Sequence, residues 1–192
     1  MPRHRYVFDP PERFVAGTIG EPGSRTFFLQ AREGARVVSV VLEKVQVAVL
    51  ADRLGKLLDE LERRGITDPL PDGPSPDAEP LDEPLVEAFR AGTLTLGWDT
   101  DAERVLVEAR EQVPEEEVEP EEAEEAIAAL DDDESEEGPD YLRVRLSPPA
   151  ARAFVDRAMV VVASGRPPCP LCGEPLDPAG HLCPRRNGHY LN

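Results

Sequence analysis

Three cysteines and two histidines fall within the last 24 residues: Cys169, Cys172, His181, Cys183 and His189. Cys169-Pro170-Leu171-Cys172-Gly173 reads as a zinc knuckle. Two thiolates three positions apart can grip one ion, the glycine permits a tight turn, and the amides of that turn can donate to the sulfurs. Cys183 supplies a third sulfur, and His181 and His189 compete for the fourth place. Cys3His is an ordinary structural zinc set, although the second half of this site departs from a C-x2-C pair. An odd, clustered cysteine count argues for a metal rather than a disulfide framework. The pair lies outside any βαβ context, which argues against thioredoxin-type redox chemistry. Four protein ligands leave the ion no place for water or substrate, so the zinc expected here is structural. In so short a tail, metal binding and folding are expected to be one event of about 10 kcal/mol.

Other chemistry has less material. His4 is the only histidine outside the tail, which leaves little for a His-based acid–base or triad mechanism. Arg13, Arg25 and Arg32 fall on adjacent predicted strands and, with Gln30, are candidates to gather around a phosphate; surface arginines are the plainer reading. Arg185 and Arg186 beside the knuckle raise nucleic-acid binding as another reading. Gly17-x-x-Gly20-x-x-Gly23 lacks the spacing of a dinucleotide loop, and no Gly-Lys-Ser/Thr occurs.

The chain has 192 residues and a net charge of −18, but the charge is local. Between Glu111 and Asp140 lie 16 acids and no Lys or Arg, and the remainder carries 23 acids against 21 bases. That balance argues against a general attraction to nucleic acid or anionic membrane. No apolar run approaches the roughly 20 residues of a membrane span, and Met1 to Asp9 lacks a signal-peptide core. A cytoplasmic protein is the expectation.

The elements that must carry the tail are legible in order. Strands are predicted at 5–8, 12–19, 25–32 and 36–42, with short connections that favour an antiparallel meander. Then Val47, Leu50, Leu54, Leu57, Leu58 and Leu61 recur at helical steps, predicting a helix over 43–64 ended by Gly65. The stretch 67–84, with six prolines, reads as a linker or an extended surface loop. Strands follow at about 85–98 and 104–110. The run 111–140 reads as a disordered insertion whose middle, 121–130, has transient helical character. A strand at 141–146 leads to Ser147-Pro148, an N-cap and first-turn pair that opens a helix reaching about Ser164.

A phrase recurs along these elements. Phe14-x-Ala-Gly-Thr18 returns as Phe89-x-Ala-Gly-Thr93, Ala31-Arg32-Glu33 as Ala109-Arg110-Glu111, and Leu50-Ala51-Asp52-Arg53 as Phe154-Val155-Asp156-Arg157. The order is kept and the offset only grows, as in a duplicated unit with insertions. The expectation is an α+β fold. Two similar β-meander-plus-helix halves, 1–66 and 85–165, form a mainly antiparallel sheet covered by two helices. The linker 67–84 joins them, and a zinc-binding tail follows at 166–192. Gly17 and Gly92 are expected at bulges or close backbone approaches.

Four stretches together carry a resemblance: Phe14-x-Ala-Gly-Thr18; Gly20-Glu-Pro-Gly-Ser-Arg25-x-Phe-Phe-Leu-Gln30; Leu42-Glu-Lys-x-Gln46; and Cys169-Pro-Leu-Cys172 with Gly180-His-Leu-Cys-Pro-Arg-x-Asn-Gly188. With these the chain resembles an actinobacterial family, the domain-of-unknown-function family 3090. The resemblance covers nearly the whole chain except the acidic insertion. It implies His181 as the fourth zinc ligand. It brings no catalytic residues, because the family has no assigned activity. It also implies company with a phosphomutase-like protein and a phosphoinositide-kinase-like protein. The functional expectation is a non-enzymatic zinc-binding interaction or adaptor module whose partner is another protein. The alternatives are an enzyme or binding protein for a phosphorylated small molecule, and nucleic-acid binding through the tail.

Overall fold

A computed structural model describes residues 3–69, 77–113, 137–165, 169–172, 183 and 185. It contains seven strands and two helices in the described residues: β1 (Arg5–Phe8), β2 (Arg13–Ile19), β3 (Thr26–Glu33), β4 (Arg36–Leu42), α1 (Lys44–Arg63), β5 (Glu87–Asp99), β6 (Arg104–Glu111), β7 (Tyr141–Leu146) and α2 (Pro148–Ala163). They form one sheet in the order β1-β7-β6-β5-β4-β3-β2. The fold is α+β, as expected, and the sheet is mixed. β2–β3–β4 and β5–β6–β7 are antiparallel meanders, while β4·β5 and β1·β7 are parallel.

The expected meander fails at its first step. β1 does not pair with β2 but sits at the opposite edge of the sheet. The link between them, Asp9-Pro10-Pro11-Glu12, is too proline-rich for a two-residue hairpin. Five chain steps from Phe8 to Arg13 span at most ~19 Å. Seven strands laid flat would separate the outer pair by ~29 Å. The sheet therefore curls. Arg36, at the start of β4, hydrogen-bonds the Val7 carbonyl at 3.1 Å and lies 4.5 Å over the Phe8 ring.

The curled face holds the core. Phe27, Leu29 and Ala31 of β3 point to it, with Val38, Val40 and Leu42 of β4 and Val105, Val107 and Ala109 of β6. The α1 stripe of Val47, Leu50, Leu54 and Leu58 packs there, as do Ala151, Phe154 and Ala158 of α2. Burial of each large apolar side chain stabilises the fold by roughly 1.5–3 kcal/mol. Ser147 caps α2, accepting the Ala150 N–H at 3.4 Å. Gly65, at φ +67, follows the end of α1, a conformation that favours glycine. No helix among the described residues is long and apolar enough to cross a membrane.

The proline-rich stretch departs from a free linker. Residues 70–76 lie outside the described residues, but 77–86 form a strap across the second face of β2–β4. Leu81 buries itself against Val15, Phe28 and Val41. Gly17 makes room for it, since a Cβ there would stand 2.6 Å from a Leu81 methyl. Gln30, only 1% exposed, pairs with the strap in both directions. Its amide donates to the Asp82 carbonyl at 3.0 Å, and its oxygen accepts the Asp82 N–H at 2.8 Å. This second covered face explains why β3 is buried almost without alternation, from Phe27 to Ala31.

Two arginines fasten the strap. Arg13 donates to Asp77 at 2.7 Å and Asp82 at 2.6 Å, and to the carbonyls of Glu79 and Pro80. Arg157 of α2, 6% exposed, donates to Ala16 O at 2.8 Å, to the Asp77 carboxylate at 2.9 Å and to the Asp77 and Glu79 carbonyls. One guanidinium thus joins helix, edge strand and strap.

The echoed phrases do not all sit alike. Phe14 pairs with Ala31, whereas Ala109 pairs with Leu94, five positions beyond Phe89. Gly92 marks a register shift in β5, and a Cβ there would meet the Gln112 backbone at 2.9 Å, as expected of a bulge at a close approach. Leu50 and Phe154, by contrast, are each the seventh residue of their helix. Most of the acidic run, including 121–130, lies outside the described residues. Its ends, Glu111 and Asp140, are joined by a backbone hydrogen bond of 2.8 Å.

Removing the Arg157 guanidinium leaves the buried Ala16 carbonyl and the partly buried acceptors of the strap without their donor. Arg157→Ala is expected to lower stability by about 2–4 kcal/mol in urea unfolding, and a change below about 0.5 kcal/mol would contradict its role. The hydrogen bond from Arg13 lowers the Asp77 pKa. That stabilisation is present above the ordinary aspartate value of about 4 and disappears as pH falls through the depressed one. Asp77→Asn should therefore flatten the acid limb of the stability curve, measured by urea midpoints from pH 6 to pH 2.

Candidate metal centre

α2 ends at Ala163, and six residues later the chain enters the knuckle. Cys169, Pro170, Leu171 and Cys172 turn back on themselves, which aims the N–H groups of Cys172 and Leu171 at the Cys169 sulfur. Those donors lower its pKa from 9.0 to about 6. The Cys183 sulfur comes to 3.9 Å from that of Cys169, and the three sulfurs all lie within 4.8 Å of one another. None of the three is in a disulfide.

These distances discriminate between chemistries. A disulfide requires about 2.05 Å between sulfurs. Four ligands placed tetrahedrally at the Zn–S distance of about 2.3 Å lie about 3.8 Å apart. The Cys169–Cys183 spacing of 3.9 Å matches the second. The donor set fits as well: three soft sulfurs, one already facing two backbone N–H groups, with Cys169 and Cys183 only 6% and 5% exposed. The structure thus brings together the three cysteines chosen from sequence. His181 and His189, the candidates for the fourth position, lie outside the described residues. Arg185 donates to the Leu171 carbonyl at 2.8 Å and so ties the Cys183 segment to the knuckle turn. Arg186 is outside the described residues.

The arginines proposed as a phosphate cluster are divided. Arg13, Arg32 and Gln30 do converge, but on the strap, with Asp82 shared among them at 2.6, 3.4 and 2.8 Å. The acids that hold the two arginines are Asp77 and Asp82 of the proline-rich stretch, together with Glu12 on Arg32. Arg25 lies elsewhere, in a cleft of about 270 Å³ lined also by Lys44, Phe27 and Gly165. His4 pairs with Asp140 at 3.1 Å, tying the start of β1 to the residue before β7.

Two residues escaped the sequence reading. Arg157 left a signal: a charged residue three positions after Phe154, inside the apolar stripe of α2. Gln46 left a weaker one. Its oxygen accepts the Glu43 N–H at 2.8 Å, and its amide donates to the carbonyls of Ala91 and Gly92, both at 3.1 Å. One side chain therefore caps α1 and closes the fork where β4 and β5 part.

The lowered Cys169 pKa has a direct consequence. In metal-free protein its alkylation by iodoacetamide should reach half its maximal rate near pH 6, and zinc should block it. A midpoint at the ordinary thiol value of about 8.5 would contradict the amide donation.

No curated protein matches the chain, and no solved structure matches it. One family model does match, over residues 6–183, nearly the whole chain from β1 to the third cysteine. The chain belongs to that family, described as protein of unknown function, DUF3090.

Proposed function

We propose that this chain is a non-enzymatic protein-interaction module whose C-terminal tail is held by a structural zinc ion. Cys169, Cys172, Cys183 and His181 are the ligands in this reading. The observation that carries it is the convergence of three sulfurs to within 4.8 Å, with Cys169 and Cys183 at 3.9 Å, near the spacing of two ligands on one zinc ion. His181 is preferred over His189 because the family resemblance favours it. With four protein ligands the ion orders the tail and presents it, and it performs no chemistry of its own.

The organisation proposed with it is a tandem of β-meander-plus-helix units, 1–66 and 85–165, joined by 67–84 and followed by the metal-bound tail 166–192. The equivalent helix positions of Leu50 and Phe154 support common descent, and the different strand registers point to long divergence since. The partner is another protein, and the phosphomutase-like and phosphoinositide-kinase-like companions implied by the family resemblance are the first to test.

A second reading keeps a small anionic ligand. Arg25 and Lys44 line one cleft, and neither has an ion-pair partner among the described residues. Two cations lining one cleft without ion-pair partners favour a phosphate-sized anion there. Tight binding of inorganic phosphate, lost in Arg25→Ala, would support this reading over the first.

The module reading is tested by metal analysis of the chain purified without added zinc. One zinc per chain is expected. Cys172→Ser and His181→Ala should lose it, while His189→Ala keeps it and the urea transition of the body stays unchanged. Retention of metal by Cys172→Ser would overturn the site.

A further inference from the structure

β5 is longer than the strand beside it. It runs from Glu87 to Asp99, but β4 pairs with it only as far as Arg90. Beyond that point β4 ends and the chain turns into α1, while β5 continues with β6 alone on its other side. From Thr93 to Trp98 β5 therefore has one edge with no strand on it. Backbone groups alternate in direction along a strand, so about half of these residues turn their N–H and C=O groups toward α1. Gln46 takes the carbonyls at the root of the fork, those of Ala91 and Gly92, and reaches no further.

The space between this edge and α1 is a groove. One cavity of about 230 Å³ is lined by Val45, Val49, Arg53, Gly92 and Leu94. A second of about 290 Å³ shares Val49, Arg53 and Leu94 and continues to Leu96. Val45 and Val49, at 65% and 43% exposed, are among the most exposed large apolar residues of the helices. Arg53 overhangs both cavities and has no hydrogen-bond or ion-pair partner among the described residues, although Asp52 and Lys56 nearby pair with each other at 2.7 Å.

We propose that this groove takes an extended segment of a partner protein, which adds to the sheet along residues 93–98 of β5 in the place β4 vacates. The open edge demands an extended backbone, because only that matches its row of donors and acceptors. The valines and leucines demand apolar side chains on the alternate positions facing α1. Arg53 demands an acidic residue among them. A second copy of this chain fits less well. Each copy carries −18, and the acidic run begins at the end of β6, the strand next to β5, so pairing two copies along this edge would bring two such runs together. This inference rests on the interaction-module reading and supplies its recognition surface.

The test uses the full zinc-loaded chain and an array of heptapeptides in which apolar and polar residues alternate, with glutamate, lysine or glutamine at the centre. The glutamate set should be retained at least about 10-fold better than the lysine set. Arg53→Glu should invert that preference, and Val49→Glu, at an exposed helix position, should abolish retention with no change in urea midpoint. Bound peptide should shift the amide resonances of residues 92–98. Failure to retain any set, equal retention of the glutamate and lysine sets, or retention indifferent to both substitutions would overturn the groove. So would concentration-dependent dimerisation that Val49→Glu abolishes, which would assign the edge to a second copy. A companion protein that still binds both variants would leave the module reading standing and remove only this surface.

Discussion

Two strands adjacent in sequence occupy opposite edges of a seven-stranded sheet, and only four residues lie between them. That constraint shapes the rest of the molecule. A flat sheet would tear the connection, so the sheet must bend, and α1 and α2 fill the hollow. The bend brings Arg36 to the β1 backbone and places α2 against β2. Once α2 lies there, the Arg157 guanidinium can reach the Ala16 carbonyl on β2 and the strap beyond it.

A sheet edge is a row of unsatisfied hydrogen-bonding groups, and this fold deals with its edges in different ways. At β2 an arginine from α2 takes a main-chain carbonyl and the strap lies across the adjacent face. At β1 Arg36 takes the Val7 carbonyl. The interior fork between β4 and β5 is closed at its root by Gln46 and left open above it. The polar clamps are built from charged side chains at low exposure, which is costly unless every partner is present. That cost is offset by multiplicity: Arg157 has four acceptors and Arg13 has carboxylates on two strap residues together with two carbonyls. The strap, the helix and the edge strand are consequently one cooperative unit. The metal site is built on different terms. It draws on sulfur chemistry within a short segment.

Much of this was legible from residue types. The Leu stripe of α1, the Ser147-Pro148 start of α2 and the Val-rich β4 lie where their periodicity places them, because in each case local propensity and burial agree. The three cysteines come together as their spacing implied. What the sequence did not disclose are decisions taken between distant segments. Nothing local in Arg5–Phe8 says that its partner is Tyr141–Val144 rather than the next strand. Prolines at 69, 71, 74, 76, 80 and 84 signal extended chain, yet Leu81 and Asp82 become buried or bonded because β3 offers Gln30 opposite them. Arg13 and Arg32 read as candidates for a free anion, but the anions they meet are carboxylates of the same chain. The long β5 was legible as a strand, whereas its open edge depends on where β4 stops.

On the proposed reading, the edge of β5 above the fork is the part of the sheet left available to another chain. Residue-resolved amide hydrogen exchange on the free protein tests this most directly. Within 93–98, amides bonded to β6 should exchange slowly and the alternate ones, facing α1, should exchange at least about 100-fold faster, a difference no uniformly covered strand shows. Slow exchange at every amide from Thr93 to Trp98 would mean that the edge is already occupied, and would contradict the account.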